Sequence, residues 1–112
     1  MDFEYLISNS INTSISFSDI TDALRKLSCI EKDLALKLLN SLEENIRANI
    51  KSSSFRQFTY GIVAIHFVDK DFATNFLNSI PFNQVVSKAE KIDNWEILRG
   101  GLGEIYSVNI PF

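Results

Sequence analysis

The sequence repeats itself with a period of about 38 residues, and a repeat of this kind restricts the fold more than any other feature. In this register five apolar residues of one unit fall on five of the next: Phe17, Ile20, Leu24, Leu27 and Ile30 on Phe55, Phe58, Ile62, Ile65 and Val68. A second, slightly longer shift brings the five residues of the second unit onto Trp95, Leu98, Leu102, Ile105 and Val108. The difference between the two shifts belongs in the connection before Trp95, where a loop absorbs an insertion at little cost. A regular period indicates about three copies of one structural unit.

The apolar spacing within each unit is that of a helix. Positions 17, 20, 24 and 27 form one stripe of a 3.6-residue period. We therefore predict a helix A at about 17–30, 55–68 and 95–108, each preceded by a residue that favours the N-cap: Ser16, Ser54 and Asn94. Ser54 and Gln57 have capping-box spacing, and Ser16 with Asp19 is a close relative of it. Because no segment alternates apolar and polar residues, we expect no β-sheet.

A second and a third helix are expected to complete the unit. Helix B follows turns at 31–33 and 69–71, where Asp33 or Asp71 can accept hydrogen bonds from the first turn. Its apolar residues are Leu34, Leu38 and Leu39 in one unit and Phe72, Phe76 and Leu77 in the next. A short helix C would follow Ser41, which has Glu44 at capping-box spacing, and Ser79, which precedes Pro81. Two or three helices per unit both fit the pattern.

A unit of roughly 38–40 residues with two or three helices resembles HEAT and armadillo repeats over nearly the whole chain. This resemblance rests on the period and the apolar pattern, and it implies an all-α, right-handed α-solenoid of about three repeats. More loosely, the pattern aromatic-x-x-apolar-x-x-Gly-apolar-x-x-Ile-x-x-Val-Asp is similar to the helical repeat arms of large archaeal and bacterial signalling NTPases. Such arms serve as sensors or bind partners, but this sequence contains no NTPase motif.

We expect a single helical-repeat domain over residues 1–112. Its units would be 1–16 (partial), 17–54, 55–94 and 95–112 (partial), because Asp2-Phe3 and Asn9-Ser10-Ile11 repeat features of helix B. A chain that starts at a helix B and stops after a helix A is expected to be part of a longer array. The alternative is that the two ends cap the array.

Composition and charge exclude several functional classes. Fourteen acidic residues against eleven Lys and Arg give a net charge of −3, which argues against nucleic-acid binding. One cysteine cannot form an internal disulfide framework or a multi-cysteine metal site. The chain has no signal-peptide pattern and no apolar run of the roughly 20 residues that span a membrane. We therefore expect a cytoplasmic location and no membrane contact.

The glycine cluster at residues 99–103 lacks the spacing and the Lys-Ser/Thr of a phosphate-binding P-loop. Ala23, Gly61 and Gly101 share one repeat position, so we interpret them as small residues that let helices approach closely. On this interpretation Gly61→Ala is expected to be neutral or stabilising, since Ala23 already occupies the equivalent position and alanine favours helices.

Neither of the chain's reactive side chains points to catalysis. His66 is expected at the edge of the core, and Cys29 is expected to fill a small space within it. A lone cysteine and a lone histidine do not define a catalytic dyad. We expect no enzyme activity, no catalytic residue, no cofactor and no metal.

The expected function is therefore a non-catalytic protein-interaction or spacer segment, with an unknown protein as partner. Two sets of residues are candidates for the interaction surface: the apolar residues Trp95, Ile97, Tyr106 and Phe112 of the last unit, and Asn40 and Asn78. The asparagines belong to recurrent Asn-Ser pairs, which either bind an extended peptide or, as we prefer, end helix B and cap helix C. The alternative function is a self-associating module, a homodimer formed through uncovered terminal helices.

Overall fold

A computed structural model describes Tyr5 and residues 16–108, and the described residues form α-helices joined by short turns, with no strand among them. From residue 16 onward the helices are α1 (Phe17–Ile30), α2 (Lys32–Ser41), α3 (Glu43–Ala48), α4 (Phe55–Val68), α5 (Lys70–Ser79), α6 (Phe82–Ala89) and α7 (Trp95–Val108). The all-α prediction is confirmed, and α1, α4 and α7 have the bounds predicted for helix A.

The three predicted N-caps of these long helices are also confirmed. The hydroxyl of Ser16 accepts a hydrogen bond from the backbone N–H of Asp19 at 3.2 Å. Ser54 and Gln57 exchange two bonds, at 3.1 and 3.0 Å, which completes a capping box. The side-chain oxygen of Asn94 accepts from two N–H groups in the first turn of α7. Each cap satisfies donors that a helix start leaves unpaired.

The starts of α2 and α5 differ from the prediction. Each follows the preceding helix after a single residue, Glu31 or Asp69, so both helices begin two residues earlier than expected. The carboxylate of Asp69, not that of Asp71, accepts from the first-turn N–H groups, at 3.1 and 3.2 Å. Asp33 and Asp71 lie inside the first turn, where a negative charge still interacts favourably with the helix dipole.

The prediction that Ser41 and Ser79 cap helix C is wrong. The Ser79 hydroxyl donates to the carbonyl of Phe76 at 2.7 Å, and Ser41 makes the equivalent bond one turn back. Both serines are therefore the last residues of their helices. The N-caps of α3 and α6 are Leu42 and Pro81, and neither helix has a side-chain cap.

The long helices pack side by side, with α4 between α1 and α7, while α2 covers α1 and α5 covers α4. The apolar stripe of α1 and α4 lies in one continuous core. In this core the ring of Phe17 stacks with those of Phe58 and Phe76, with centroids 6.1 and 6.3 Å apart.

One contact occurs at the same helix positions in both pairs of neighbouring long helices. The ring of Phe17, the first residue of α1, lies directly over Gly61, the seventh residue of α4. The ring of Phe55, the first residue of α4, lies in the same way over Gly101, the seventh residue of α7. A Cβ added at Gly61 or Gly101 would come within 2.7 Å of Phe17 Cδ1 or 2.9 Å of Phe55 Cζ, and closer still to another ring atom.

Leu102 departs from its equivalents in the other long helices. The position that these three residues share in the apolar stripe predicts equal burial. This prediction is wrong, because Leu24 and Ile62 are fully buried and Leu102 is 49% exposed. Within the described chain α7 packs against α4 and, less extensively, against α5. By contrast α1 packs against α2 and α4, and α4 packs against α1, α5 and α7. The helical spacing was predicted correctly, but no described helix packs over Leu102.

Candidate interaction surface

One side of α7 presents a row of large side chains to solvent. Trp95 is 70% exposed, Tyr106 is 62% exposed, and Leu102 and Arg99 lie between them. Their spacing of four, three and four residues places all four on one face of the helix. We name this set (Trp95, Arg99, Leu102 and Tyr106) the α7 outer face. It brings together two of the residues predicted for interaction.

The opposite side of α7 holds the helix against the rest of the molecule. Gly101, Ile105 and Val108 are buried there, and the carbonyl of Val108 accepts a 3.4 Å hydrogen bond from Thr74 of α5. Ile97 is half-buried in the cleft between α4 and α7, so it does not share the face of Trp95. Phe112, also predicted for interaction, lies outside the described residues.

Asn40 and Asn78 lie on other helices. Each is the last residue but one of α2 or α5, and each is exposed. The Asn40 amide donates a 2.8 Å hydrogen bond to the carbonyl of Leu36, one turn back in the same helix. The pairs thus end helix B, as predicted, and the structure places them on elements separate from the α7 outer face.

Between α4 and α7 a pair of opposite charges borders the cleft. Burial raises the pKa of Glu104 above its ordinary value, and the attraction of Arg56 on α4 acts in the opposite direction. Arg56 is the second residue of α4 and Glu104 the tenth of α7. A carboxylate between packed helices is favourable only if a cation compensates part of its lost hydration.

A second cleft, between α3 and α6, has a basic lining that the sequence pattern does not predict. Its cations are Arg47, Lys51, Lys88 and Lys91. Arg47 binds Glu43 at 2.9 Å, donates to Ser79 at 2.7 Å and lies 4.4 Å above the ring of Phe76. Because Arg47 and Lys88 lie on helices that are far apart in sequence, no local pattern brings them together.

The glycines at 100–103, Cys29 and His66 lie on three different helices. Gly100, Gly101 and Gly103 lie within α7 and not in a loop. Cys29 is exposed, so the prediction that it fills the core is wrong. It lies two residues after the buried Leu27, which turns it away from the core, and Phe67 and Ser107, at the same position of α4 and α7, are exposed too. His66 is half-buried near the end of α4.

In the described part of the chain no group of three or more His, Cys, Asp or Glu side chains is arranged to hold a metal ion. No helix there has the length and apolar character needed to cross a membrane. Comparison with protein-family models, with curated proteins and with solved structures found no match of any of the three kinds.

Proposed function

We propose that this chain is a segment of a right-handed α-solenoid of the HEAT or armadillo kind, which binds a protein through the α7 outer face and carries out no chemistry. The observation that carries the proposal is the exposure of Trp95. It occupies the helix position at which Phe17 and Phe55 are buried over a glycine of the next helix. An aromatic side chain built for such a contact, but left exposed, is typical of a surface that another protein covers.

The order and length of the helices support the repeat. A helix of 14 residues is followed by one of 10 and then by a short one, first as α1, α2, α3 and again as α4, α5, α6. The helix α7, again of 14 residues, starts a third unit. In a solenoid each unit contacts only its neighbours, which agrees with α4 lying between α1 and α7.

The composition of the α7 outer face supports a protein as its ligand. Trp, Tyr and Arg are the residues most often found at the energetic centre of protein–protein interfaces. Here one of each lies on a single helical face together with Leu102, and that side has no described neighbour to cover it. Contact with a partner would remove a large apolar area of these side chains from water. This removal is the main driving force of protein association.

Site-specific photo-crosslinking tests the proposal. A photoreactive amino acid replaces Trp95 or Tyr106, and in the control it replaces Phe82, an exposed aromatic residue on α6. Crosslinking in the cells that express the full-length gene should give the same partner from positions 95 and 106, and not from position 82. The purified partner should then bind the wild-type chain at least about tenfold more tightly than Trp95→Ala. Equal crosslinking from all three positions would contradict the proposal.

A further inference from the structure

The outward sides of α1 and α7 carry complementary halves of the contact that joins the long helices. In each pair of neighbours an aromatic first residue lies over a small seventh residue, Phe17 over Gly61 and Phe55 over Gly101. On α7 the aromatic first residue, Trp95, is exposed. On α1 the small seventh residue is Ala23, which is half-buried. One molecule thus presents an aromatic residue at one side and a small residue at the other.

We propose that the α7 outer face of one copy docks on the outward side of α1 of a second copy, which continues the order of helices head to tail. The inference rests on the proposed function, since it names the partner of the same face. We define the α1 outer face as Asp19, Ala23, Lys26 and Ile30, the residues equivalent to those that α4 and α7 turn toward the preceding helix. Ile30 is 71% exposed, although its equivalents Val68 and Val108 are buried.

Charges at matching positions agree with this register. Arg56, second in α4, attracts Glu104, tenth in α7, across their cleft. Between copies, the second residue of α7 is Glu96 and the tenth residue of α1 is Lys26. This pair is also attractive, with the acidic and basic residues exchanged between the two positions. A wrong register would not be expected to bring opposite charges together at these positions.

A second pair of opposite charges comes together when α7 of one copy lies against α1 of another in the way that α1 lies against α4. The hydroxyl of Thr21, fifth in α1, lies 3.0 Å from the position of a Cβ on Gly61. The fifth residue of α7 is Arg99, so its guanidinium would lie beside Ala23 and close to Asp19 of the next copy. Asp19 and Arg99 are both exposed, so both side chains are accessible to a second copy.

The existing contacts of Lys26 leave it able to bind a second carboxylate. Its ammonium lies 2.9 Å from Asp22, yet the side chain is 70% exposed. An ammonium group has three donors, so it can bind Asp22 and Glu96 of another copy together. The methyl group of Ala23 prevents the Trp95 ring from lying as deep as Phe17 and Phe55 do, which makes this contact looser than the internal ones.

The geometry of this association determines its stoichiometry. The two faces are different surfaces of one molecule, so the contact is heterologous and does not close in a symmetric dimer. The mass of the assembly should therefore grow with concentration beyond that of two chains. A homodimer with a fixed mass is a different arrangement and would contradict the proposal.

Sedimentation equilibrium over a range of concentrations tests the docking. The wild-type chain should show a mean mass that rises past two chains, and Trp95→Ala should weaken the association by about tenfold or more. Lys26→Glu and Glu96→Lys should each weaken it by about fivefold, as expected for an exposed ion pair. The double variant Lys26→Glu/Glu96→Lys should return close to wild type, because it restores the attraction with the signs exchanged. Lys70→Glu, an exposed charge on α5, is the matched control and should have no effect.

A second pair of substitutions tests the aromatic contact itself. Ala23→Gly with Trp95→Phe reproduces between copies the pair that Phe55 and Gly101 form within the chain. This variant should associate more tightly than Trp95→Phe alone, while circular dichroism confirms that both remain helical. Equal association of the two variants, or no recovery in the charge exchange, would overturn the docking.

The test separates failure of this inference from failure of the proposed function. If the wild-type chain stays monomeric and a different protein crosslinks to positions 95 and 106, self-docking is wrong, but the proposal that the α7 outer face binds a protein still holds. If neither copies nor another protein crosslink there, the proposed function is wrong as well.

Discussion

The ammonium group of Lys88 donates a 2.7 Å hydrogen bond to the carbonyl oxygen of Ile50, although α4 and α5 separate the two residues in sequence. A second bond, of 2.5 Å, goes to the carbonyl of Ser53. The bonds join α6 to the turn after α3, in which the Ile50 carbonyl also accepts from the backbone N–H and the hydroxyl of Ser53, at 3.1 and 2.6 Å. Burial, and secondarily the charge of Lys91, lower the pKa of Lys88, so holding this cation in place has a cost that the two bonds offset.

We expect Lys88→Met to destabilise the fold by about 1–3 kcal/mol, because it removes the described donor of the Ser53 carbonyl and one of the donors of the Ile50 carbonyl. Methionine keeps much of the apolar contact of the lysine stem, so lost packing contributes little. Urea unfolding followed by circular dichroism measures the change. Lys91→Met is the control, since Lys91 is exposed and lies three residues further along the chain. Equal midpoints for the two variants would contradict this account.

Gly61→Ala should destabilise the protein, in contrast to the expectation from sequence that it would be neutral or stabilising. The added methyl group would overlap the ring of Phe17 and lie 3.0 Å from Thr21 Oγ1, and Phe17 is fully buried. Overpacking of this kind costs about 1–3 kcal/mol. The chain itself carries alanine at the equivalent position 23, where the side chain is half-buried.

Gly103→Ala is the matched control for Gly61→Ala. Gly103 also lies inside a long helix, but an added Cβ would meet nothing within 4 Å. It should stabilise the chain by up to about 1 kcal/mol, the difference in helix propensity. The melting temperatures of the two variants should therefore shift in opposite directions. A shift in the same direction would show that the Phe17 ring leaves room for a methyl group at position 61.

Ile62→Ala and Leu102→Ala should differ strongly, although the two residues occupy the same position in α4 and α7. Ile62 is fully buried in the middle long helix, so its truncation should cost about 2–5 kcal/mol. About half of Leu102 is already exposed, so its truncation should cost less than about 1 kcal/mol. Denaturant unfolding of both variants measures the difference, and a larger loss at Leu102 would refute the order of the helices.

The sequence predicted the long helices well because their boundaries depend on local chemistry. Ser16, Ser54 and Asn94 each bond to an N–H group two or three residues ahead, and the apolar stripe repeats every turn. The predictions failed where two local options compete. Ser41 and Ser79 had the spacing to start a helix, but their hydroxyls bond to the carbonyl groups behind them.

What depends on neighbours in space could not be predicted from the sequence. Leu102 has the pattern of a core residue and is exposed, because burial is decided by the helix that packs over it. The basic cleft between α3 and α6 was missed for a related reason, since Arg47 and Lys88 meet only through packing. Trp95 and Tyr106 were correctly placed on one helix, whereas Ile97 was included with them although it lies on the opposite face.

Glu104→Gln should change the pH dependence of stability in a defined direction. Burial raises the pKa of Glu104 in the folded chain above its ordinary value, so the folded state binds the proton more tightly than the unfolded state. The contribution of the group is most favourable below its ordinary pKa, and it is lost as pH rises through the raised value of the folded state. Glutamine does not titrate, so the free energy of unfolding of Glu104→Gln should rise relative to that of wild type as pH rises from about 4 to about 7. Urea unfolding at both pH values measures this gain. Arg56→Gln should destabilise the wild-type chain at neutral pH, because Arg56 compensates the Glu104 charge, and should have little effect in the Glu104→Gln background. If Arg56→Gln had the same effect in both backgrounds, the two charges would not interact across the α4–α7 cleft.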